Sequence, residues 1–491
     1  MKIYNSMTGK KEDFKPIDGN NVKMYACGVT VYDLSHIGHA RQAIVYAMIA
    51  DYLRYRGYNV KYVRNYTDVD DKIIKRANER GKDAIQFSRE QIEETEKDMA
   101  ALHVTEADEK PKASEYIGKI IEFVQGLVEK GYAYPLPNGD VYYRVRKFNG
   151  YGKLSHRNVD ELLNGVRKEL EEGKEDPLDF ALWKSAKPGE IYWESPWGKG
   201  RPGWHIECSV MAKDTLGESI DIHGGGRDLV FPHHENEIAQ SEALTGKPFA
   251  KYWSHCGLIK INGEKMSKSL GNSVTIRDAL KMYNYEVLKY VMLEKHYASD
   301  VDIYDKDYKL AENHMYYFYN TIKNMKNYIN ENNGNKEGQK VEDDISATIK
   351  EKFIEVMDDD FNTSAAIAQL HVIFKYVNNL MKTAKKANKA LAANTIAKIL
   401  DEVKELYGIL GFFKQEPEKF INKMQEKYLK QMELSPEYIN GEIQKRSEAK
   451  KEKNYELADK IRSDLDEKGI ILNDTAEGTT WDIKSLYQVE Q

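Results

Sequence analysis

The sequence predicts an α/β protein: a parallel-sheet domain broken by inserted material and followed by an all-helical half. Three observations predict it. Residues 22–66 run strand, helix, strand within a short span, the pattern of a parallel α/β unit. Over 132–200 that character gives way to short aromatic β-like runs and turns. From about 278 onward nearly every segment carries helical periodicity.

The elements follow in order. Val22 to Cys27 reads as a strand, with a turn expected at Gly28. Ser35 is the expected N-cap of a helix with Val45, Met48, Ile49 and Tyr52 at spacings of three and four, stopped by Gly57. Asn59 to Tyr66 is the second strand, and residues 84–131 read as helical and strongly charged. Val141-Tyr142-Tyr143-Arg144-Val145 is β-like, with turns at Asn149-Gly150, Lys187-Pro188-Gly189 and Trp197-Gly198. The α/β character returns at 203–226 and continues to about Ile276. In the helical half the polar stretch 330–338 reads as a mobile connection. Helices are expected around Ile367–Met381 and Ile396–Leu410, with a charged helical pair at 443–468 and a small β-like element ending at Trp481.

Composition narrows the class. A chain of 491 residues suggests about three domains. Hydrophobic residues at 41 % and charged residues at 31 % allow real cores and exclude wholesale disorder. No run approaches the ~20 apolar residues of a membrane span, and Met1-Lys2-Ile3-Tyr4 lacks a secretory apolar region. The expectation is a cytoplasmic protein with no membrane association. With 73 basic and 79 acidic residues the formal charge is −6, so nucleic-acid contacts would use local basic patches. Three cysteines, Cys27, Cys208 and Cys256, are no disulfide framework; isolated cysteines in a reducing compartment fill cores or hold metals.

Three constellations carry chemistry. His36-Ile37-Gly38-His39 sits where strand gives way to helix, and free N–H groups and the helix dipole there suit phosphate oxygens. Alone, it reads equally as a capped helix with two surface histidines. Lys265-Met266-Ser267-Lys268-Ser269 follows a turn at Asn262-Gly263-Glu264 and offers two lysines to a polyphosphate, or else is a solvated loop. Phe231-Pro232-His233-His234-Glu235-Asn236-Glu237 sets His233 and Glu237 four apart, on one face if helical. With Cys27 and Cys208 they make two thiolates, an imidazole and a carboxylate, a zinc-like donor set. The alternative is two core cysteines and a helix salt bridge.

The first two motifs, complete and in this order, resemble the HIGH and KMSKS signatures of class I aminoacyl-tRNA synthetases. The resemblance narrows further. Cys27–Asp33, Asn65–Lys72, Gly203–Cys208, Asp221–Gly226, Phe231–Glu237 and, in the helical half, Met357–Thr363 are similar to cysteinyl-tRNA synthetases, over essentially the whole chain. That family implies a Rossmann-like catalytic domain at 1–110 and 201–277, split by a connective insertion at 111–200. A stem-contact segment at 278–330, a helical bundle at 331–414 and an anticodon-binding domain at 415–491 would follow.

It also implies ATP-dependent joining of L-cysteine to the 3′-terminal adenosine of tRNA(Cys) through cysteinyl-adenylate. His36, His39, Lys265 and Lys268 would stabilise the reacting phosphates, with Gly38, Gly226 and Asp228 also toward ATP. Gly28, Thr67, Trp204 and His223 would line the amino-acid pocket. Cys27, Cys208, His233 and Glu237 would hold one Zn²⁺ per subunit, and Mg²⁺ would accompany ATP. Selecting cysteine over serine suits direct metal–sulfur bonding, because serine's hydroxyl is harder and less acidic. No obligate protein partner is implied, and a monomer is expected. Cys256 is expected in the core. Trp481 is a candidate base-stacking platform or a packed hydrophobe. His296-Tyr297-Ala298-Ser299 and Lys289 depart from arginines common in the family. Two rivals remain: a cysteine-activating ligase with a small amino-sugar acceptor, and a non-catalytic tRNA-binding paralogue.

Overall fold

A computed structural model describes residues 1–158, 173–265, 273–341, 345–475 and 478–487. The chain forms two compact units: the first holds 1–285, 292–303 and 355–364, the second 286–291, 304–354 and 365–491.

The first unit opens with a small hairpin, β1 (Lys2–Asn5) and β2 (Lys10–Asp13). Its centre is a four-stranded parallel sheet. Strands β3 (Asn21–Thr30) and β4 (Asn59–Thr67) are joined by helix α1 (Ile37–Tyr55). Helices α2 (Asp71–Glu79), α3 (Ala84–Ala101) and α4 (Ile117–Glu129) follow. An antiparallel sheet of β5 (Ala133–Pro135), β6 (Val141–Tyr143), β7 (Phe180–Ser185) and β8 (Gly200–Pro202) is the inserted material. Helix α5 (Trp204–Leu216) then leads into β9 (Ile220–Gly226), α6 (Glu235–Thr245) and β10 (Ala250–Cys256). The sheet order is β10-β9-β3-β4. One half grows outward from β3 and the other from β9, so a topological switch lies between them, where open α/β sheets hold ligands. Beyond it, β11 (Ile259–Ile261) and β12 (Glu264–Lys265) form a hairpin through Asn262 and Gly263. Both turn residues have positive φ, 52° and 83°, as a two-residue turn of this hand requires. Strand β13 (Val301–Ile303) pairs with β11 in parallel.

Several expectations change. No turn occurs at Gly28: β3 runs on to Thr30, with its register on β4 shifting between Ala26 and Val29. The bulge brings Gly28 so near β4 that a Cβ would lie 1.6 Å from the Asn65 carbonyl oxygen. The cap of α1 is His36 and not Ser35; the Ser35 carbonyl instead accepts from Ile276 N (2.9 Å). The charged stretch 84–131 is not one helical run. It breaks at His103 (φ 51°), and residues 108–112 lie extended along β4, where Glu109 and Pro111 carbonyls accept from Arg64 N and Tyr66 N. Pro111 cannot continue a helix interior. Asp358 and Asp360, expected within the helical half, belong to the first unit: Asp360 N donates to Lys2 O (2.9 Å) and Tyr297 donates to the Asp360 carboxyl (2.9 Å).

Packing explains one glycine directly. A Cβ on Gly224 would sit 2.3 Å from the ring of Tyr46, which is buried and bonded to Gly225 N (2.7 Å) and Ser254 O (2.8 Å). Gly224→Ala is expected to cost about 1–3 kcal/mol by overpacking, read as a lower urea midpoint at unchanged slope.

The second unit is mostly helical: α7 (Asp305–Glu331), α8 (Lys389–Gly408), α9 (Pro417–Gln431), α10 (Pro436–Lys451) and α11 (Tyr455–Glu467) are among its helices. The hairpin β14 (Ile470–Thr475) and β15 (Gly478–Ile483) closes it, with Trp481 Nε1 donating to Asn440 (3.1 Å). The polar connection after α7 is not loose. Asn335 N donates to Asn394 Oδ1 (2.6 Å), Asn394 Nδ2 to Gln339 O (2.9 Å), and Lys336 pairs with Asp401 (2.7 Å), all on α8. Lys289 is buried and is no surface contact.

Candidate active site and metal centre

Thr30, Thr67, Gly226 and Cys256 end the four strands of the parallel sheet. At these ends lies a cavity of ≈ 320 Å³. Gly28 and Thr30 of β3, His36, Gly38 and His39 of the HIGH segment, Trp204, Gly226 with Asp228, and Cys256–Ile259 line it. The switch between β3 and β9 thus positions residues from distant parts of the sequence around one space.

At the start of α1, Nδ1 of His36 accepts from Gly38 N (3.1 Å) and Nδ1 of His39 from His36 N (3.4 Å). The two rings stack with centroids 3.6 Å apart. An imidazole that accepts at Nδ1 carries its proton on Nε2, so each ring is a donor there. The chain that returns after residue 272 is stitched to this point: Ile37 N donates to Val274 O (3.1 Å) and Thr275 bridges His36. Of the KMSKS pentapeptide only the backbone of Lys265, at the end of β12, is described; Lys268 lies outside the described residues.

Trp204 joins the cavity to a buried cluster. It is 37 % exposed and stacks on His233 with ring centroids 4.3 Å apart. Cys27 on β3, Cys208 on α5, His233 in the turn just before α6 and Glu237 in the first turn of α6 offer ligand atoms that all lie within 4.8 Å of one another, and all four residues are buried. Helical spacing brings His233 Nε2 to 2.9 Å from Glu237 Oε1. Cys27 Sγ is 3.8 Å from Cys208 Sγ and 3.5 Å from Glu237 Oε1. A second set shares Cys27 and Glu237 but uses His223 and His234. His223, expected beside the amino-acid pocket, has its Nε2 3.6 Å from Cys27 Sγ and 3.2 Å from Glu237 Oε2.

The electrostatics are those of a site made for a cation. The Cys27 hydrogen bond, against burial, brings the Cys208 thiol down to about 6. Burial and the neighbouring Cys208 push the Cys27 thiol well up, so it keeps its proton. Burial would lower His233, but Glu237 and Cys208 outweigh it and raise the imidazole to about 10. Burial would raise Glu237, but His223 and His233 hold its carboxyl well below the usual range. His223 Nδ1 and His234 Nε2 are buried with no hydrogen-bond partner among the described residues. Such orphaned atoms around two sulfurs fit a divalent soft-to-borderline metal.

The family whose description is "tRNA synthetases class I (C) catalytic domain" matches residues 13–313, and the DALR domain matches 352–414. The protein described as cysteine--tRNA ligase of Thermodesulfovibrio yellowstonii is 48 % identical over 99 % of this chain and 100 % of its own length. That of Geobacillus thermodenitrificans is 48 % identical over 98 % of each chain. The chain belongs to the cysteine–tRNA ligase family. Its fold is also that of a class I relative of low identity. Mycobacterium tuberculosis methionyl-tRNA synthetase in complex with methionyl-adenylate aligns with TM-score 0.61 at 15 % identity, covering 85 % of this chain and 95 % of that one.

Membership in the cysteine–tRNA ligase family puts the remaining residues in context. Gly226 and Asp228 line the cavity, and a Cβ on Gly226 would lie 2.5 Å from Asp228 Oδ1. Gly225 instead faces His234, 2.8 Å from where a Cβ would be. Thr67 is buried at the end of β4 in contact with Glu207, whose carboxyl burial pushes well up. Cys256, expected in the core, is buried yet also forms part of the cavity wall. Motif reading missed the histidines behind the cluster. His205 Nδ1 is 2.9 Å from His233 Nδ1, and His234 Nδ1 is 2.9 Å from His255 Nε2, which in turn meets Ser6 Oγ through Nδ1 (2.7 Å). Burial pushes His205 and His234 well down and His255 to about 3, so these three stay neutral. His205 and His234 stand inside the recognised motifs, which was the available signal; nothing local marks His255. No described helix is long and apolar enough to cross a membrane.

Proposed function

We propose that this protein joins L-cysteine and ATP into cysteinyl-adenylate and pyrophosphate, then passes cysteine to the 3′-terminal adenosine of tRNA(Cys). One observation carries the reading: a buried thiol–imidazole–carboxylate cluster lies behind Trp204, whose ring stacks on His233 and also lines a cavity that includes the N-terminus of α1. Cys27, Cys208, His233 and Glu237 would hold one Zn²⁺. When bound, the ion supplies a soft Lewis acid that favours a substrate thiolate over a serine hydroxyl. Trp204, Gly28, Thr67 and His223 form the amino-acid end, with Trp204 covering His233 against water.

At the other end His36 and His39 donate from Nε2 to phosphate oxygens as charge develops on them, and Gly38 lets the phosphates approach the helix. Gly226 and Asp228 take the adenosine and its ribose. Lys265 and Lys268 neutralise the departing pyrophosphate, and Mg²⁺ accompanies ATP. The protein forms no covalent bond; a carboxylate oxygen of cysteine displaces pyrophosphate at the α-phosphorus while these groups hold it in line. The second unit supplies contacts to tRNA, and the reaction belongs to the cytoplasm.

The test is pyrophosphate exchange into ATP, with cysteine or serine, on protein as purified, stripped of metal, and reloaded with zinc. Exchange with cysteine alone, lost on stripping and regained with zinc, is the expected result. Equal exchange with serine would refute the metal-based selection, and none at all from folded, metal-loaded protein would refute the activity.

A further inference from the structure

Helix α1 carries a second cation besides the HIGH histidines. Arg41 is 1 % exposed. Its Nη1 donates to Gly257 O (2.8 Å) and at longer range to Leu258 O (3.4 Å). Its Nη2 donates to Ser299 O (2.7 Å), with His296 O and Tyr297 O each at 3.3 Å. No ion pair joins it to a carboxylate among the described residues. A buried guanidinium without a counter-ion depends on these carbonyl dipoles, and its planar fork fixes the directions in which they must point. Three segments are thereby tied together: α1, the link between β10 and β11, and the turn at 296–299 before β13.

The link is locked from its other side as well. Leu258 N donates to Asp300 Oδ1 (3.0 Å), Gly257 N to Tyr297 O (2.9 Å), and Val301 N to Leu258 O (2.9 Å). Asp300 itself pairs with Arg227 (3.1 Å). Gly257 admits no side chain, since a Cβ would lie 2.1 Å from Ser299 O. Gly257, Leu258 and Ile259 line the same cavity as His36, Gly38 and His39, which ride on the helix that carries Arg41.

We propose that Arg41 is a positioning residue for the nucleotide. Its guanidinium holds the 257–259 wall at a set distance and orientation from the HIGH segment, so that ATP meets both at once. This rests on the activity proposed above and deepens it. The metal cluster hangs on β3, α5 and the start of α6, none of which Arg41 bonds, so the effect belongs to ATP and leaves cysteine aside.

The experiment measures KM for ATP and for cysteine in pyrophosphate exchange, with the fraction of active sites from the adenylate burst. Arg41→Met is expected to raise the ATP KM about ten-fold or more, because small displacements of a binding wall are costly, while the cysteine KM moves less than about two-fold. Arg41→Lys regains part of the loss, since an ammonium donates to several carbonyls but lacks the fork. Asp300→Ala, at a half-exposed site, should raise the ATP KM in the same direction by removing the acceptor of Leu258 N, and it decides the matter if Arg41→Met fails to fold. A lowered active fraction with an unchanged ATP KM in the Arg41→Lys and Asp300→Ala proteins would overturn the proposal, as would equal rises in both constants. Absence of cysteine-dependent exchange in the unmutated protein would instead remove the activity on which it rests.

Discussion

With the proposed zinc site and activity, Cys208→Ala is expected to abolish zinc binding and to lower cysteine-dependent exchange at least about a thousandfold, well beyond the 10–100-fold that outer partners of a metal ligand are worth. That is the expected outcome of the larger of two decisive substitutions. Cys208 is the thiol that its surroundings bring down to about 6, so it is the ligand that arrives already ionised near neutral pH. Removing it leaves Cys27, whose thiol burial keeps protonated, and a His233–Glu237 pair that satisfies itself. Metal content by atomic emission and the KM for cysteine should change together while the melting transition persists. Full zinc occupancy in the variant would refute this ligand set and favour the one built on His223 and His234. Protons enter the same argument. In the metal-free cluster Cys27 and His233 hold protons that a metal must displace, so uptake should release them and weaken as the pH falls below about 10, more steeply once Cys208 also takes a proton near 6. Calorimetry in buffers of different ionisation enthalpy reads that release directly.

The second large effect is expected at the HIGH segment. His39→Ala should lower kcat for exchange by about 10²–10³-fold with little change in either KM, the usual cost of removing one donor aimed at developing charge. The geometry makes the assignment specific to the ring's far edge, because Nδ1 is occupied by the His36 N–H. His39→Asn keeps a donor of similar reach and should regain part of the rate. A loss expressed wholly in the KM for ATP would mean that His39 binds the ground state and does not act in the transition state.

How much of this the sequence disclosed depends on how far apart the cooperating atoms lie along the chain. The parallel strands were readable because their apolar runs and the helix between them are local patterns. His233 and Glu237 were readable as a pair because four residues make one helical turn, and the turn places their atoms 2.9 Å apart. Cys27 and Cys208 had no such local link; donor chemistry suggested grouping them with that pair, the family resemblance implied one set, and the packing of β3 on α5 brings their sulfurs to 3.8 Å. What stayed hidden was set by contacts between remote segments. Gly28 looks like a turn until Asn65 is seen pressed against it. Ser35 looks like a cap until its carbonyl is found committed to Ile276. Nothing local marks Arg41 on its helix, and only the two remote segments that converge on it make it buried. The polar run at 330–338 has the composition of a tether, yet Asn394 on α8 provides the partners that fasten it.

The contact between Tyr46 and Gly224 has an evolutionary consequence. One volume is shared by two positions far apart in the chain: the ring of the first fills the space that any side chain on the second would need. Selection acts on their sum, so among relatives the two positions should covary, a lineage acquiring alanine at 224 being one that has already exchanged the tyrosine for something smaller. A mutational library that varies either position alone will find only losses, whereas one that varies both will recover folded proteins along a narrow diagonal of matched sizes.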